Sequence, residues 1–488
     1  MNFTRDLYGT SLSLFTDLYQ LTMAYGYWKS GFAEKEAVFH LYFRKNPFEG
    51  GYAVCAGLEY AVYYLNNLRF TDVEIEYLTS LRNAKGEELF ELDFIEYLRN
   101  FKFTCNLDAI PEGTVVFPDE PLLRVTGPLL QAQLIETPLL NLLNFQTLVA
   151  TKAARITDAA QGDPVIEFGM RRAQGVDGAL AATRAAFIGG AKATSNVMAG
   201  ELFGIPVKGT HAHSWVLAFE DEEAAFRAYS NAFPHDSVFL VDTFNTLDGV
   251  NTAVKVAREM RKNGAELAGI RLDSGDLAYL SREARAILDE AGFPGVSIVA
   301  SNDLDEYLIQ DLKLQGAKID TWGIGTRLVT AYDQPALGGV YKLGAMRSSN
   351  GSWQYKLKLS EQLVKISTPG VQQVRRFYAG KMFVADAIIN EAEPLPETLT
   401  ITDPLESTRQ KTLPAGSTFT DLLVPVFRKG EMVYHLPELA LIQERTQQQI
   451  NSLDPGIRRF RNPHRYPVGL EDGLYRLKTD LIKTLRNQ

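Results

Sequence analysis

Between about residues 132 and 345 the chain alternates two hydrophobic patterns. Short apolar runs at 164–168, 205–208, 238–241, 267–272, 296–300 and 318–322 predict buried strands. Between them, 175–188, 195–203, 220–231, 247–263, 275–291 and 303–314 carry apolar residues at helical spacing and predict amphipathic helices. This alternation predicts a parallel sheet with crossover helices. Six such units in one run favour a closed α/β barrel over an open sheet.

The flanks are less regular. Residues 15–28 predict an aromatic-rich helix, 37–43 a strand, 46–51 a loop, and 57–67 and 72–100 two helices. Pro111, Gly113, Pro118 and Gly127 punctuate a strand-rich part, and 133–160 predicts a long helix. Strands return at 338–343 and 353–359, and 470–485 predicts a closing helix. The chain is therefore α/β in class. It divides into an N-terminal α+β domain at 1–131, a barrel at 132–345, and a segment at 346–488 that packs back as an accessory layer.

Polar and glycine residues gather after each predicted barrel strand. The sets are Phe168-Gly169-Met170-Arg171-Arg172, Gly209-Thr210-His211-Ala212-His213-Ser214, Asp242-Thr243-Phe244, Arg271-Leu272-Asp273-Ser274-Gly275-Asp276, Ser301-Asn302-Asp303 and Gly323-Ile324-Gly325-Thr326-Arg327. In α/β barrels the active site is built from the loops at this end. An imidazole titrates near neutral pH and serves as nucleophile, acid or base, which suits phosphate chemistry at 211 or 213. Gly323-Ile324-Gly325 reads as a backbone nest for phosphate, or simply as a tight turn. Arg171 and Arg172 can grip phosphate through planar forks, and one of them can equally be a solvated helix start. Asp273 and Asp276 suit ribose hydroxyls or a magnesium-bound diphosphate, while Asp276 also reads as a helix N-terminal charge. Phe168 reads either as a stacking platform or as core.

The net charge of −9 repels nucleic acid and anionic membranes, so an anionic substrate needs a local basic pocket. Cys55 and Cys105 are too few for a disulfide framework and fit a reducing compartment. Arg5, Asp6 and Asp17 argue against a signal peptide, and no apolar run reaches membrane-spanning length. A cytoplasmic protein is the expectation. A metal-dependent hydrolase built on His211 and His213 needs further ligands. None of His40, His235, His435 and His464 ends a later predicted barrel strand.

Taken together the motifs resemble the nicotinate phosphoribosyltransferase family. The barrel motifs are joined by Phe15-Thr-Asp-Leu-Tyr-Gln-Leu-Thr-Met23, Tyr42-Phe-Arg-Lys-Asn-Pro-Phe48, Gly50-Gly-Tyr52, Tyr341-Lys-Leu343, Lys358-Leu-Ser-Glu361 and Asn462-Pro-His-Arg-Tyr-Pro-Val-Gly-Leu470. Their order over nearly the whole chain is the specific feature. The resemblance implies a type II phosphoribosyltransferase fold, an irregular α/β barrel with an α+β domain built from both chain ends. It implies nicotinate and phosphoribosyl diphosphate as substrates, ATP as co-substrate, Mg2+, a phosphohistidine and a homodimer. Carried over residue by residue, Tyr19 and Phe168 sandwich the pyridine, and Thr210 and Arg271 contact nicotinate. Thr326, Gly323, Gly325, Ser301 and Asn302 surround phosphoribosyl diphosphate. Arg171 binds phosphate, Asp273 holds ribose or magnesium, and His213 is phosphorylated. His211 falls on the family's variable position.

Overall fold

The structure, a computed structural model, describes residues 11–487. The leader expectation at Arg5 and Asp6 lies outside the described residues. The chain forms two compact units, one running up to Leu148 and resuming at Ala336, the other spanning Val149–Pro335.

The first unit begins with helix Leu18–Lys29 and strand β1 (Glu36–Phe43). Seven of the eight residues of β1 are buried, as its nearly continuous apolar run requires. β2 (Ala53–Val54), β3 (Asn106–Ala109), β4 (Val115–Val116) and β5 (Leu123–Pro128) follow. The expected helix at 72–100 is two helices, Asp72–Ser80 and Leu92–Arg99. Asn83 breaks it. Its Oδ1 accepts from the N–H of Lys85 at 2.9 Å and of Glu87 at 3.2 Å, and Gly86 takes φ 81°. Arg82 and Glu88 then pair as a β-bridge.

The second unit holds β6 (Val165–Glu167), β7 (Ala193–Thr194), β8 (Val238–Leu240), β9 (Gly269–Leu272), β10 (Ser297–Ala300) and β11 (Thr321–Ile324). All pair in parallel, in the order β7-β6-β11-β10-β9-β8. Five crossover helices start on a side-chain cap: Asn196, Asp221, Asn245, Asp276 and Asp305 each accept a first-turn N–H. Two strand expectations need correction. The run at 205–208 makes only a single bridge, Val207 to Thr194, because Pro206 has no N–H for a ladder. The last strand starts at Thr321 rather than 318, after Asp320 has turned its carboxylate to the Ile298 N–H at 2.8 Å.

The ladder ends at β7 on one side and β8 on the other. The segment from Val207 to His211 spans the interval. Val207 bridges Thr194 of β7, and His211 Nε2 accepts the Leu240 N–H of β8 at 3.2 Å. The barrel is irregular there, closed by a side chain rather than by strand pairing.

The chain has rejoined the first unit by β12 (Gly339–Arg347), which pairs antiparallel with β1. β13 (Trp353–Tyr355) is shorter than the expected 353–359. β14 (Gln372–Ala379), β15 (Met382–Asn390), β16 (Leu399–Thr402), β17 (Gln410–Leu413), β18 (Phe419–Asp421), β19 (Val424–Arg428), β20 (Glu431–Met432) and β21 (Val468–Glu471) follow, and helix Asp472–Arg486 ends the fold. Two sheets result. The first has the order β13-β12-β1-β5-β3-β19-β20, and the second β17-β16-β21-β15-β14-β18. The second encloses its own core of Phe377, Ala385, Ala387, Ile389, Leu399, Ile401 and Leu413. Both chain ends thus build this α+β unit. Among the described residues no helix is long and apolar enough to cross a membrane.

Candidate active site

The C-terminal ends of β6, β9, β10 and β11 open into one cleft of about 180 Å³. Its lining includes Phe168, Arg171, Arg172, Arg271, Asp273, Ser301, Asn302, Asp303, Gly323, Gly325 and Thr326. Three arginines face two aspartates, so the cleft is locally basic in a chain of net charge −9. That is the local pocket an anionic substrate needs.

Arg271 organises the floor. Its Nε donates to Ser301 Oγ at 2.7 Å, Nη1 to Thr210 Oγ1 at 3.0 Å and Nη2 to Asp273 Oδ1 at 2.8 Å. A guanidinium has five N–H groups. These three bonds leave one on each terminal nitrogen, two donors for the oxygens of an anionic ligand. The guanidinium carbon lies 5.6 Å from the Phe168 ring centre. Burial alone pushes the Asp273 carboxyl up. Hydrogen bonds from Ser301 and Arg271, with the charges of Arg271 and His213, outweigh it and hold Asp273 below the usual carboxylate range.

Glycine at 323 is a steric requirement. A Cβ there would come within 2.7 Å of the Phe168 ring. Phe168 itself is held by the turn after β6. Glu167 is buried, accepts the Gly169 N–H, and also accepts from Thr183 Oγ1 at 2.9 Å and Thr194 Oγ1 at 2.6 Å. Asn302 takes φ 116°, a backbone region that L-residues rarely adopt and that is found at ligand clamps.

His213 opens the short helix His213–Leu217. Its Nδ1 lies 3.2 Å from Thr243 Oγ1 and its Nε2 3.8 Å from Asp273 Oδ2. Asp242 is buried, and its Oδ2 accepts the Asp273 N–H at 2.8 Å and the Ser274 hydroxyl at 2.7 Å. The loop carrying Asp273 is thereby tied to β8. Asp276 caps helix Leu277–Glu290 by accepting the Tyr279 N–H at 3.0 Å, which is the helix-charge alternative. Both ring nitrogens of His211 face backbone groups, Leu240 N–H and Ala212 carbonyl, so no His211–His213 metal pair forms. Among the described residues no group of three His, Cys, Asp or Glu is arranged to ligate a metal.

Phe168, Arg171, Thr210, His213, Arg271, Asp273, Ser301, Asn302, Gly323, Gly325 and Thr326 therefore all belong to the strand-end face of one unit. Tyr19 belongs to the other unit, on helix Leu18–Lys29, with 49% of its surface exposed. The sequence reading assigned no role to Glu167, Asp242 or Thr243. A carboxylate inside an apolar strand was the available signal for Glu167.

A parallel α/β barrel with a basic strand-end cleft, together with a second, α+β unit built from both ends of the chain, defines the type II phosphoribosyltransferase class. Family profiles divide the chain without conflict. The nicotinate phosphoribosyltransferase (NAPRTase) N-terminal domain matches residues 14–144, the NAPRTase family 164–353 and the C-terminal domain 371–478. The chain belongs to the nicotinate phosphoribosyltransferase family of enzymes, which serve NAD synthesis. It is 46% identical to nicotinate phosphoribosyltransferase of Bacillus subtilis, over 98% of this chain and 96% of the relative. It is 35% identical to the Homo sapiens enzyme of that name, over 96% of each. The crystal structure of human nicotinic acid phosphoribosyltransferase superposes with a TM-score of 0.83 at 32% identity, covering 96% of this chain and 99% of that one. Nicotinate-nucleotide pyrophosphorylase from Pyrococcus furiosus shares the fold, with a TM-score of 0.68 at 22% identity over 91% and 96%.

Proposed function

We propose that the cleft seats nicotinate beside 5-phosphoribosyl 1-diphosphate, forms nicotinate mononucleotide and diphosphate, and couples this to ATP hydrolysis through a phosphate on His213. The observation that carries the reading is Arg271 beside the Phe168 ring, with an N–H left over on each terminal nitrogen after its three hydrogen bonds. A flat aromatic acid satisfies both at once, its ring on Phe168 and its carboxylate on Arg271. Thr210 completes that contact.

The nucleophile is the pyridine nitrogen, which is neutral and needs no general base. Its lone pair forms the bond to the anomeric carbon while the bond from that carbon to the diphosphate oxygen breaks. Catalysis then reduces to positioning and to stabilising the leaving charge. Arg171 is assigned to that charge. Thr326, Gly323, Gly325, Ser301 and Asn302 are assigned to the phosphoribosyl group, with helix-start and loop N–H groups as donors. Magnesium is a hard cation that prefers oxygen ligands, and it neutralises diphosphate when bound. Asp273 offers the carboxylate, held ionised by Arg271 and Ser301.

The other face of the ring is assigned to Tyr19 of a second copy in a homodimer. Its exposure on helix Leu18–Lys29 supports this. Tyr19→Ala and His213→Ala chains, each crippled alone, should regain up to about half of the wild-type sites per mixed dimer when co-refolded. Absence of any regained activity would remove the in-trans assignment. A cytoplasmic location accords with the two buried free cysteines. The direct test incubates the protein with nicotinate, phosphoribosyl diphosphate, magnesium and ATP and follows mononucleotide by mass. Formation of nicotinamide mononucleotide in preference, from an equimolar mixture of both pyridines, would overturn the substrate assignment.

A further inference from the structure

We infer that His211 is a positioning residue, a neutral imidazole clasp that closes the barrel seam and holds its neighbours Thr210 and His213 at the cleft. The inference rests on the functional reading of those two residues. β8 pairs with a strand on one side only, so Leu240 on its other edge presents an N–H that needs an acceptor. His211 Nε2 supplies it at 3.2 Å. With that lone pair accepting, the ring proton sits on Nδ1, facing the Ala212 carbonyl at 3.4 Å. The ring is 7% exposed and packs edge-on against Tyr229, with centroids 4.9 Å apart, and near Phe226. The same residue reaches the site directly. Its carbonyl accepts from Thr210 Oγ1 at 3.1 Å, which turns the Thr210 lone pair toward Arg271 Nη1. His213 begins its helix two residues further on. One residue thus ties the β8 edge to both flanking site side chains.

The clasp works only in the neutral form, because a protonated Nε2 cannot accept. The charged or titratable groups facing it are Arg271 from β9, His213 from its own segment and Tyr229 from helix Glu222–Ala232. Burial pushes its pKa down, the Ala212 carbonyl partly opposes this, and the charges of Arg271 and His213 add to the fall, to about 4. The usual value is 6.5, so the unfolded chain binds this proton first as pH falls. The stabilisation is complete above pH 6.5 and is lost progressively down to about 4.

His211→Phe keeps the ring packing and removes the acceptor, whereas His211→Gln places an amide oxygen near the position of Nε2. Deuterium exchange of the peptide containing Leu240 should speed up roughly tenfold in the phenylalanine variant and stay near wild type in the glutamine variant. Phosphate incorporation on His213 and ATP-coupled kcat/KM should fall about tenfold in His211→Phe and recover to within about threefold in His211→Gln. The Tm of His211→Gln, which cannot titrate, should fall less than that of the wild type between pH 6.5 and 4. Unchanged exchange or unchanged coupling in His211→Phe overturns the proposal. So does a glutamine variant as impaired as the phenylalanine one, or equal Tm losses across the window. If the wild-type protein made no mononucleotide, the functional reading would fail while exchange and Tm still judged the clasp. Those two readouts on His211→Gln also serve if the phenylalanine variant does not fold.

Discussion

Arg271→Ala is expected to weaken nicotinate binding by roughly a hundredfold while changing nicotinamide binding by no more than about threefold. Hydrogen bonds to charged groups contribute about 1.5–3 kcal/mol each, and two of them are assigned to the carboxylate. The Arg271 side chain is 17% exposed, so the lower end of that range applies to each bond. Two such bonds, near 3 kcal/mol together, correspond to roughly a hundredfold in affinity. Nicotinamide has no negative charge and forgoes most of this. The comparison is made by equilibrium binding rather than turnover, because Arg271 also restrains Asp273. Its loss removes one of the bonds and the nearby charge that keep that carboxyl low, and chemistry would slow for both pyridines. Arg271→Lys separates charge from shape. A lysine keeps the positive charge but cannot span Ser301, Thr210, Asp273 and a bidentate ligand together. It should fall well short of wild type for nicotinate. Equal weakening of both pyridines by Arg271→Ala would break the assigned pairing.

The barrel was legible because short apolar runs and amphipathic stretches have different periods, and each crossover helix follows its strand closely. The convergence of polar residues at strand ends was legible for the same reason. Their individual roles were not. A short strand-to-helix loop needs a cap, and Asn or Asp is the residue that both caps a helix and holds a ligand. Asp276 and Asp305 sit in the ring of polar loops but serve their own helices. Asp273, three residues from Asp276, instead meets Arg271 and Ser301. Composition does not separate the two. The second sheet of the terminal unit was hidden by a different effect. β14 and β15 carry Gln372, Gln373, Arg376 and Asp386 as buried residues. Arg376 and Asp386 satisfy each other within the core, with Tyr466 donating to Asp386 at 2.8 Å. Buried polar partners erase the alternation by which a half-buried strand is read. Helix Leu439–Asn451 escaped for want of width, since Ile442, Thr446 and Ile450 are its buried residues. Thr243 and Asp242 were visible as a polar pair after a strand. What they touch depends on tertiary register, which local pattern does not encode.

His213→Ala is expected to remove acid-labile phosphate from the protein altogether and to uncouple ATP hydrolysis, leaving slow transfer from phosphoribosyl diphosphate. The geometry favours this residue over its neighbour. The His213 side chain is 41% exposed at the start of a helix, with Thr243 beside Nδ1 and the Asp273 carboxylate beyond Nε2. A phosphorylated imidazole there would stand beside Asp273, which lines the basic cleft, so its charge can alter how tightly the cleft holds a second phosphorylated ligand. Couplings of this kind amount to about 1–3 kcal/mol, or roughly 5–150-fold in affinity. The variant should therefore lose about that factor in kcat/KM for phosphoribosyl diphosphate when ATP is present, and little when ATP is absent. The displacement itself needs no phosphohistidine, because the pyridine nitrogen attacks without a base, so a residual ATP-independent rate is required by the mechanism. His211 cannot inherit the phosphate: it is buried, with both nitrogens turned to backbone groups. Labelling with γ-phosphate-labelled ATP and mapping the peptide at 209–217 tests both residues together. Label persisting in His213→Ala, or ATP stimulation of transfer at the wild-type level, would defeat the assignment. A variant dead even without ATP would instead place His213 in the displacement step, against the base-free chemistry argued for the pyridine.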